Sequence, residues 1–108
     1  MSEHIIKPDH VVEIRKTSNT KYDFYTSDKT HLFGIQFQDG ARGETGVNGI
    51  TVDGLFIACI DHLMSWQSTD LACEHNTRII ALLEQAVEEC HLRHVDRAAR
   101  GVSGQAKP

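Results

Sequence analysis

At 108 residues the chain is the length of one small domain, and an apolar share of 40% is high enough for a packed fold rather than a disordered one. A formal net charge of −4 argues against a general nucleic-acid binder, and three cysteines with no CxxC pair argue against a disulfide scaffold. No apolar run reaches the roughly 18 residues of a membrane span, and "MSEHIIKPDH" has no basic-then-apolar leader; a cytoplasmic protein is expected.

Residues 1–9 read as a frayed lead. Three β-rich runs follow: "HVVEIRK", "KYDFYT" with Tyr22 and Phe24 on one side, and "HLFGIQFQDG" with Phe33, Ile35 and Phe37 at period two. The clusters "TSNT" and "SDKT" between them are turn chemistry. The pattern predicts a two- or three-stranded antiparallel meander over residues 10–40. A sheet so small needs its apolar face covered by a helix or another subunit. Residues 39–49, "DGARGETGVNG", hold four of the eight glycines. They read as a flexible loop or an extended crossing. Glycine-rich backbone can cradle phosphate, but no P-loop lysine and Ser/Thr pair follows.

From Thr51 the period becomes helical. Val52, Leu55, Phe56, Ala58, Cys59, Ile60, Leu63 and Trp66 form a broad apolar face, with Thr51 as N-cap. "QSTD" is a short link, with Ser68 or Thr69 as the next cap and Asp70 in the first turn. A second helix runs to about Arg100, with Ala72, Ile79, Ile80, Leu83, Ala86, Val87, Cys90 and Val95 apolar and Gly101 as the stop. Two helices and a short link make an antiparallel hairpin. The fold class is therefore α+β, one domain over 1–108: a small N-terminal antiparallel β-meander (10–40), a glycine-rich loop (41–50), a C-terminal two-helix antiparallel hairpin (51–101) and a tail (102–108).

Asn76 interrupts the apolar seam of the second helix. It is either a structural amide or one that reads a base or ribose; left unpaired in the interior it costs about 1–3 kcal/mol. Trp66, the one tryptophan, is either a core anchor or a platform on which an adenine stacks. Arg93, Arg97 and Arg100 lie within about 60° of one another around a helix. They either complement the helix dipole or form half of a phosphate pocket, since the guanidinium forks onto phosphate oxygens. The pairs Cys59/His62, Cys90/His94 and Cys73/His75 have no standard zinc spacing. Asp61 and Glu84 are isolated helical carboxylates, and no nucleophile–base arrangement stands out. No metal, cofactor or catalytic residue is expected.

From "FQDG" (37–40) through "GVNG" (46–49), "WQ" (66–67), "AC" (72–73) and Asn76 to "RAARGVSG" (97–104), the chain resembles small phage nucleotide-signal sponges. These form the anti-Thoeris and anti-CBASS helical-hairpin family, and the anti-Thoeris branch is the nearer. The resemblance covers roughly residues 31–105. It implies a protein that does not catalyse but holds a cyclic ADP-ribose isomer made by a bacterial TIR-domain enzyme. It further implies action in the cytoplasm of the infected host, and a homodimer or hexamer with pockets between protomers, without nucleic acid polymer or membrane as partner. Carried onto this chain, the family's aromatic contact falls on Trp66, where phenylalanine is more usual. Its amide contact falls on Asn76 and its arginine contact on Arg93. Arg97, Arg100, Gly101 and Val102, in the motif beyond, are expected to bind the same ligand. Glu74 and His75 stand where many relatives have arginine and glutamate, which bears on the identity of the ligand.

Two other readings compete with that one: a sponge for cyclic di- or trinucleotides, and a hairpin that binds a protein partner. Helix geometry adds a constraint. Arg93 lies about 26 Å along a helix from Asn76, at 1.5 Å per residue. One hairpin cannot bring Trp66, Asn76 and Arg93 to one nucleotide-sized ligand, so a second protomer would supply the arginine.

Overall fold

Four short strands, each hydrogen-bonded to the next in chain order, make an antiparallel sheet in the computed structural model, which describes residues 4–5 and 12–108. They are β1 (His4–Ile5), β2 (Val12–Lys16), β3 (Lys21–Thr26) and β4 (His31–Gln36). The sheet has one strand more than the two or three expected from sequence. His4 and Ile5 pair with Lys16 and Arg15, so part of the supposed frayed lead is a strand. The rest of that lead, and His10 and Val11 of the first expected strand, lie outside the described residues.

Period two builds the sheet's apolar face. Ile14 is opposite Phe24, Phe24 opposite Phe33, and Tyr22 opposite Ile35. The Phe24 and Phe33 rings stack at 4.8 Å, and Tyr22 meets Phe37 edge-on at 5.7 Å; such cross-strand aromatic pairs are the unit of sheet stabilisation. The opposite face is charged. Glu13 accepts from Arg15 at 2.7 Å and from Lys29 at 3.1 Å, and these bonds hold its carboxyl below the usual range. In the β3–β4 turn Asp28 accepts from the hydroxyls of Thr26 and Thr30, which lowers its pKa.

The glycine-rich segment, expected as a flexible loop or an extended crossing, carries cross-ties from two side chains. Asn48 ties it shut: its Oδ1 accepts from the Asp39 amide at 2.8 Å and its Nδ2 donates to the Asp39 carbonyl at 2.7 Å. Gln38 adds a second tie, its Oε1 accepting from the Asn48 amide and its Nε2 donating to the Gly46 carbonyl at 2.8 Å. A one-turn helix, α1 (Arg42–Thr45), lies inside. Gly49 is there for close approach: a Cβ would stand 2.5 Å from the Phe37 carbonyl, beside the parallel bridge of Phe37 to Ile50.

The chain divides into two compact units, Met1–Ile50 and Thr51–Pro108. The second is a helical hairpin, α2 (Val52–Trp66) packed on α3 (Glu74–Ala99). The Thr51 hydroxyl accepts from the Gly54 amide at 3.1 Å, the expected N-cap. The α3 start departs from expectation: Cys73 is the N-cap and Asp70 lies in the link. Thr69 is not a cap, because its hydroxyl donates to the Trp66 carbonyl and accepts from the Leu71 amide within the link. At the far end α3 closes as a Schellman motif. The Val102 amide reaches the Arg97 carbonyl, the Gly101 amide reaches that of Ala98, and Gly101 takes φ +73°.

Phe56, Ile60 and Leu63 of α2, and Ile80, Leu83, Val87 and Cys90 of α3, are half-buried, as their helical spacing predicts. Val52, Ala58, Cys59, Ile79 and Val95, also read as seam positions, are exposed, and Ala72 sits exposed in the link. Among the described residues no apolar side chain is fully buried, and Leu82 is 64% exposed. No helix of the described residues is long and apolar enough to cross a membrane.

Candidate functional site

Gln67 makes the most hydrogen bonds of the side chains that hold the α2–α3 link. Its Oε1 accepts from the Cys73 amide at 3.2 Å and from Asn76 Nδ2 at 2.9 Å, and its Nε2 donates to the Cys73 carbonyl and to the Thr77 hydroxyl at 2.9 Å. Asn76 Nδ2 also donates to the Leu71 carbonyl at 2.9 Å. The Cys73 amide can only donate, so Gln67 must present oxygen to it, and Asn76 must then present nitrogen. Asn76 is the one buried polar residue among those described, 6% exposed. Both of its amide hydrogens are committed to the link. Its Oδ1 accepts nothing from the described residues and is not sealed from solvent. The side chain is therefore structural in its donors, and its acceptor is unused among the described residues.

Trp66 ends α2 immediately before Gln67. It is half-buried, with the His62 ring edge-on at 4.9 Å. At the start of the second turn of α3, Arg78 lies 3.7 Å from Glu74 and 3.1 Å from His75 Nδ1. The Glu74 charge is thus faced by a cation one turn on, although the pair is exposed and worth little.

The three arginines on one face have three different situations. Arg93 is exposed and makes no hydrogen bond or ion pair among the described residues. Arg97 is half-buried and donates to the main-chain oxygens of Val102 (3.1 Å), Gln105 (2.6 Å), Lys107 and Pro108 (3.2 Å). Arg100 pairs with Asp96 at 3.0 Å and donates to Pro108 at 2.6 Å. Gly101 and half-buried Val102 form the helix stop that begins the tail.

Trp66 and Asn76 flank Gln67, whereas Arg93 stands seventeen residues further along α3, about 26 Å away. Gln67 stands in the "WQ" pair, where neither spacing nor composition marks a role for it. Only its place between Trp66 and the start of α3 hinted at one. Among the described residues no three His, Cys, Asp or Glu side chains converge as a metal site. Cys59 and Cys73 are exposed and Cys90 is half-buried.

No family model matches the chain. Its sequence is 33% identical over 70 residues, 65% of the chain, to "Thoeris anti-defense 1" of Bacillus phage SBSphiJ7. The match takes in 49% of that protein, so the chain spans about half the length of the curated relative it matches. By sequence, the chain stands close to the Thoeris anti-defence proteins.

Proposed function

We propose that the chain is a phage immune-evasion protein that binds a cyclic ADP-ribose-type signal and withholds it, uncleaved, from TIR-domain (Thoeris) defence. The observation that carries this reading is the similarity to Thoeris anti-defense 1. The residues are suited to the task. Trp66 offers a half-buried indole for an adenine, and the Asn76 Oδ1 offers an acceptor to its amine. Arg93 is the one of the three arginines whose guanidinium is uncommitted, and so takes the pyrophosphate. Because Arg93 lies about 26 Å from Asn76 along α3, a second copy of the chain supplies it, and the working unit is a homodimer or a hexamer. The site of action is the cytoplasm of the infected host, where the signal is made.

A thermal-shift series against the product of a Thoeris TIR-domain enzyme, linear ADP-ribose and cyclic di- and trinucleotides tests the reading. A ligand at 100 times its dissociation constant adds about 2.7 kcal/mol, a rise of roughly 10 °C or more for a domain of this size. The TIR product should give that rise. No response to it, with a comparable rise for a cyclic oligonucleotide, would move the protein to the other branch of signal sponges.

A further inference from the structure

The two ends of the Gln67 amide are read by one residue. Oε1 accepts from the Cys73 amide and Nε2 donates to the Cys73 carbonyl, both at 3.2 Å. A peptide N–H can only donate and a peptide C=O can only accept. Turning the Gln67 amide over would set donor against donor and acceptor against acceptor at once. Its orientation is therefore fixed by main chain. The Thr77 hydroxyl, 2.9 Å from Nε2, can donate or accept and takes no part in that choice.

The orientation is passed on. The same Oε1 lies 2.9 Å from Asn76 Nδ2, so Asn76 must present its nitrogen there. The other Nδ2 hydrogen goes to the Leu71 carbonyl at 2.9 Å. An asparagine side chain has two N–H donors and one oxygen. Both donors are spent within the link, and only Oδ1 remains. Asn76 is 6% exposed, yet Oδ1 has no partner among the described residues. An unused acceptor on so buried a side chain is an interaction the fold leaves unmade.

We propose that Gln67 is a positioning residue for the Asn76 amide: it relays the polarity of the Cys73 peptide, so that Asn76 offers a ligand an oxygen and no N–H, and the site takes a base carrying an amine and rejects the same base carrying a carbonyl. The proposal rests on the sponge reading for the nature of the ligand. It goes beyond that reading in naming what selects the base and which residue enforces the choice. Adenine carries an amine at its 6-position, where hypoxanthine carries a carbonyl.

The test compares the unaltered chain with Gln67→Met, Gln67→Glu and Thr77→Val. Methionine keeps the unbranched length and removes both polar ends. Glutamate keeps an oxygen for Cys73 and Asn76. Thr77→Val deletes a bond of the same link without touching the relay. Exchange of the two Asn76 Nδ2 hydrogens, followed by NMR without ligand, is read first. Both should exchange slowly in the unaltered chain, in Gln67→Glu and in Thr77→Val, and one should exchange roughly tenfold faster or more in Gln67→Met. Binding of the purified TIR-enzyme product and of its deaminated, hypoxanthine form is read second. The two carry the same charge, so the ratio of their affinities cancels the charge that Gln67→Glu adds. The unaltered chain should prefer the adenine form by roughly tenfold or more. That preference should survive in Gln67→Glu and Thr77→Val and shrink roughly fivefold in Gln67→Met, the worth of one hydrogen bond. An undiminished preference in Gln67→Met, or one that shrinks as far in Thr77→Val, would overturn the relay. If Gln67→Met does not fold, Gln67→Glu decides: a lost preference there overturns the proposal, and a kept one supports it. Equal binding of both forms by the unaltered chain overturns the selection. An unaltered chain that binds neither form, while Gln67→Met still frees one Asn76 hydrogen, overturns the ligand role through the sponge reading and leaves Gln67 as the residue that orients Asn76.

Discussion

Arg93→Glu is expected to weaken binding of the signal by roughly 100-fold or more, the scale of losing one partner of a desolvated charge pair. The same change should move the melting temperature very little. Arg93 is exposed and has no partner among the described residues, and surface substitutions away from caps, networks and cores stay within about 0.5 kcal/mol. That contrast separates a ligand contact from a scaffold residue. Complementation then locates the pocket. In an equal mixture of Arg93→Glu and Trp66→Ala chains, some mixed dimers carry one intact Trp66–Asn76 end facing one intact Arg93. Such mixed assemblies should recover part of the binding. If assemblies verified as mixed recover none, the shared pocket is wrong.

Self-association is the second large effect. Among the described residues no apolar side chain is fully buried, while Ile57, Met64 and Leu82 are each more than half exposed. Burial of apolar area is the main favourable term in folding, at about 25 cal/mol per Å², and a hairpin this thin leaves much of that area in water. A second copy covering it should make the melting temperature rise with protein concentration. Sedimentation at micromolar concentration should find a dimer or hexamer. Leu82→Glu, a charge placed on the most exposed apolar side chain of α3, should shift the protein toward monomer and lower its melting temperature by several degrees. A stable wild-type monomer with a concentration-independent melt would contradict both the assembly and the shared pocket.

Local chemistry was legible in the sequence and distant partners were not. Thr51 was read as a cap because an Ncap hydroxyl serves the amide three residues on, a contact within one turn. The α3 start was misplaced because Ser68, Thr69 and Asp70 have the composition of a cap, while the amide at Cys73 is served by Gln67, six residues back and outside any periodic pattern. The glycine-rich segment looked flexible by composition alone. Its order comes from Asn48 reaching back nine residues to Asp39. Helical spacing placed Arg93, Arg97 and Arg100 on one face, but could not say that the tail folds back onto two of them and leaves the third free. Ile79 and Val95 show the same limit in the apolar pattern. Spacing marks a face to be covered without saying which chain covers it.

The central claim is retention of an intact signal. The most direct measurement incubates the protein with the product of a Thoeris TIR-domain enzyme, removes free ligand by filtration, heats the retained protein and weighs what is released by mass spectrometry. Depletion of the signal from the filtrate in proportion to protein is expected, with its recovery unchanged on heating. Signal that passes freely through the filter, or linear ADP-ribose accumulating with time and with protein, would contradict it.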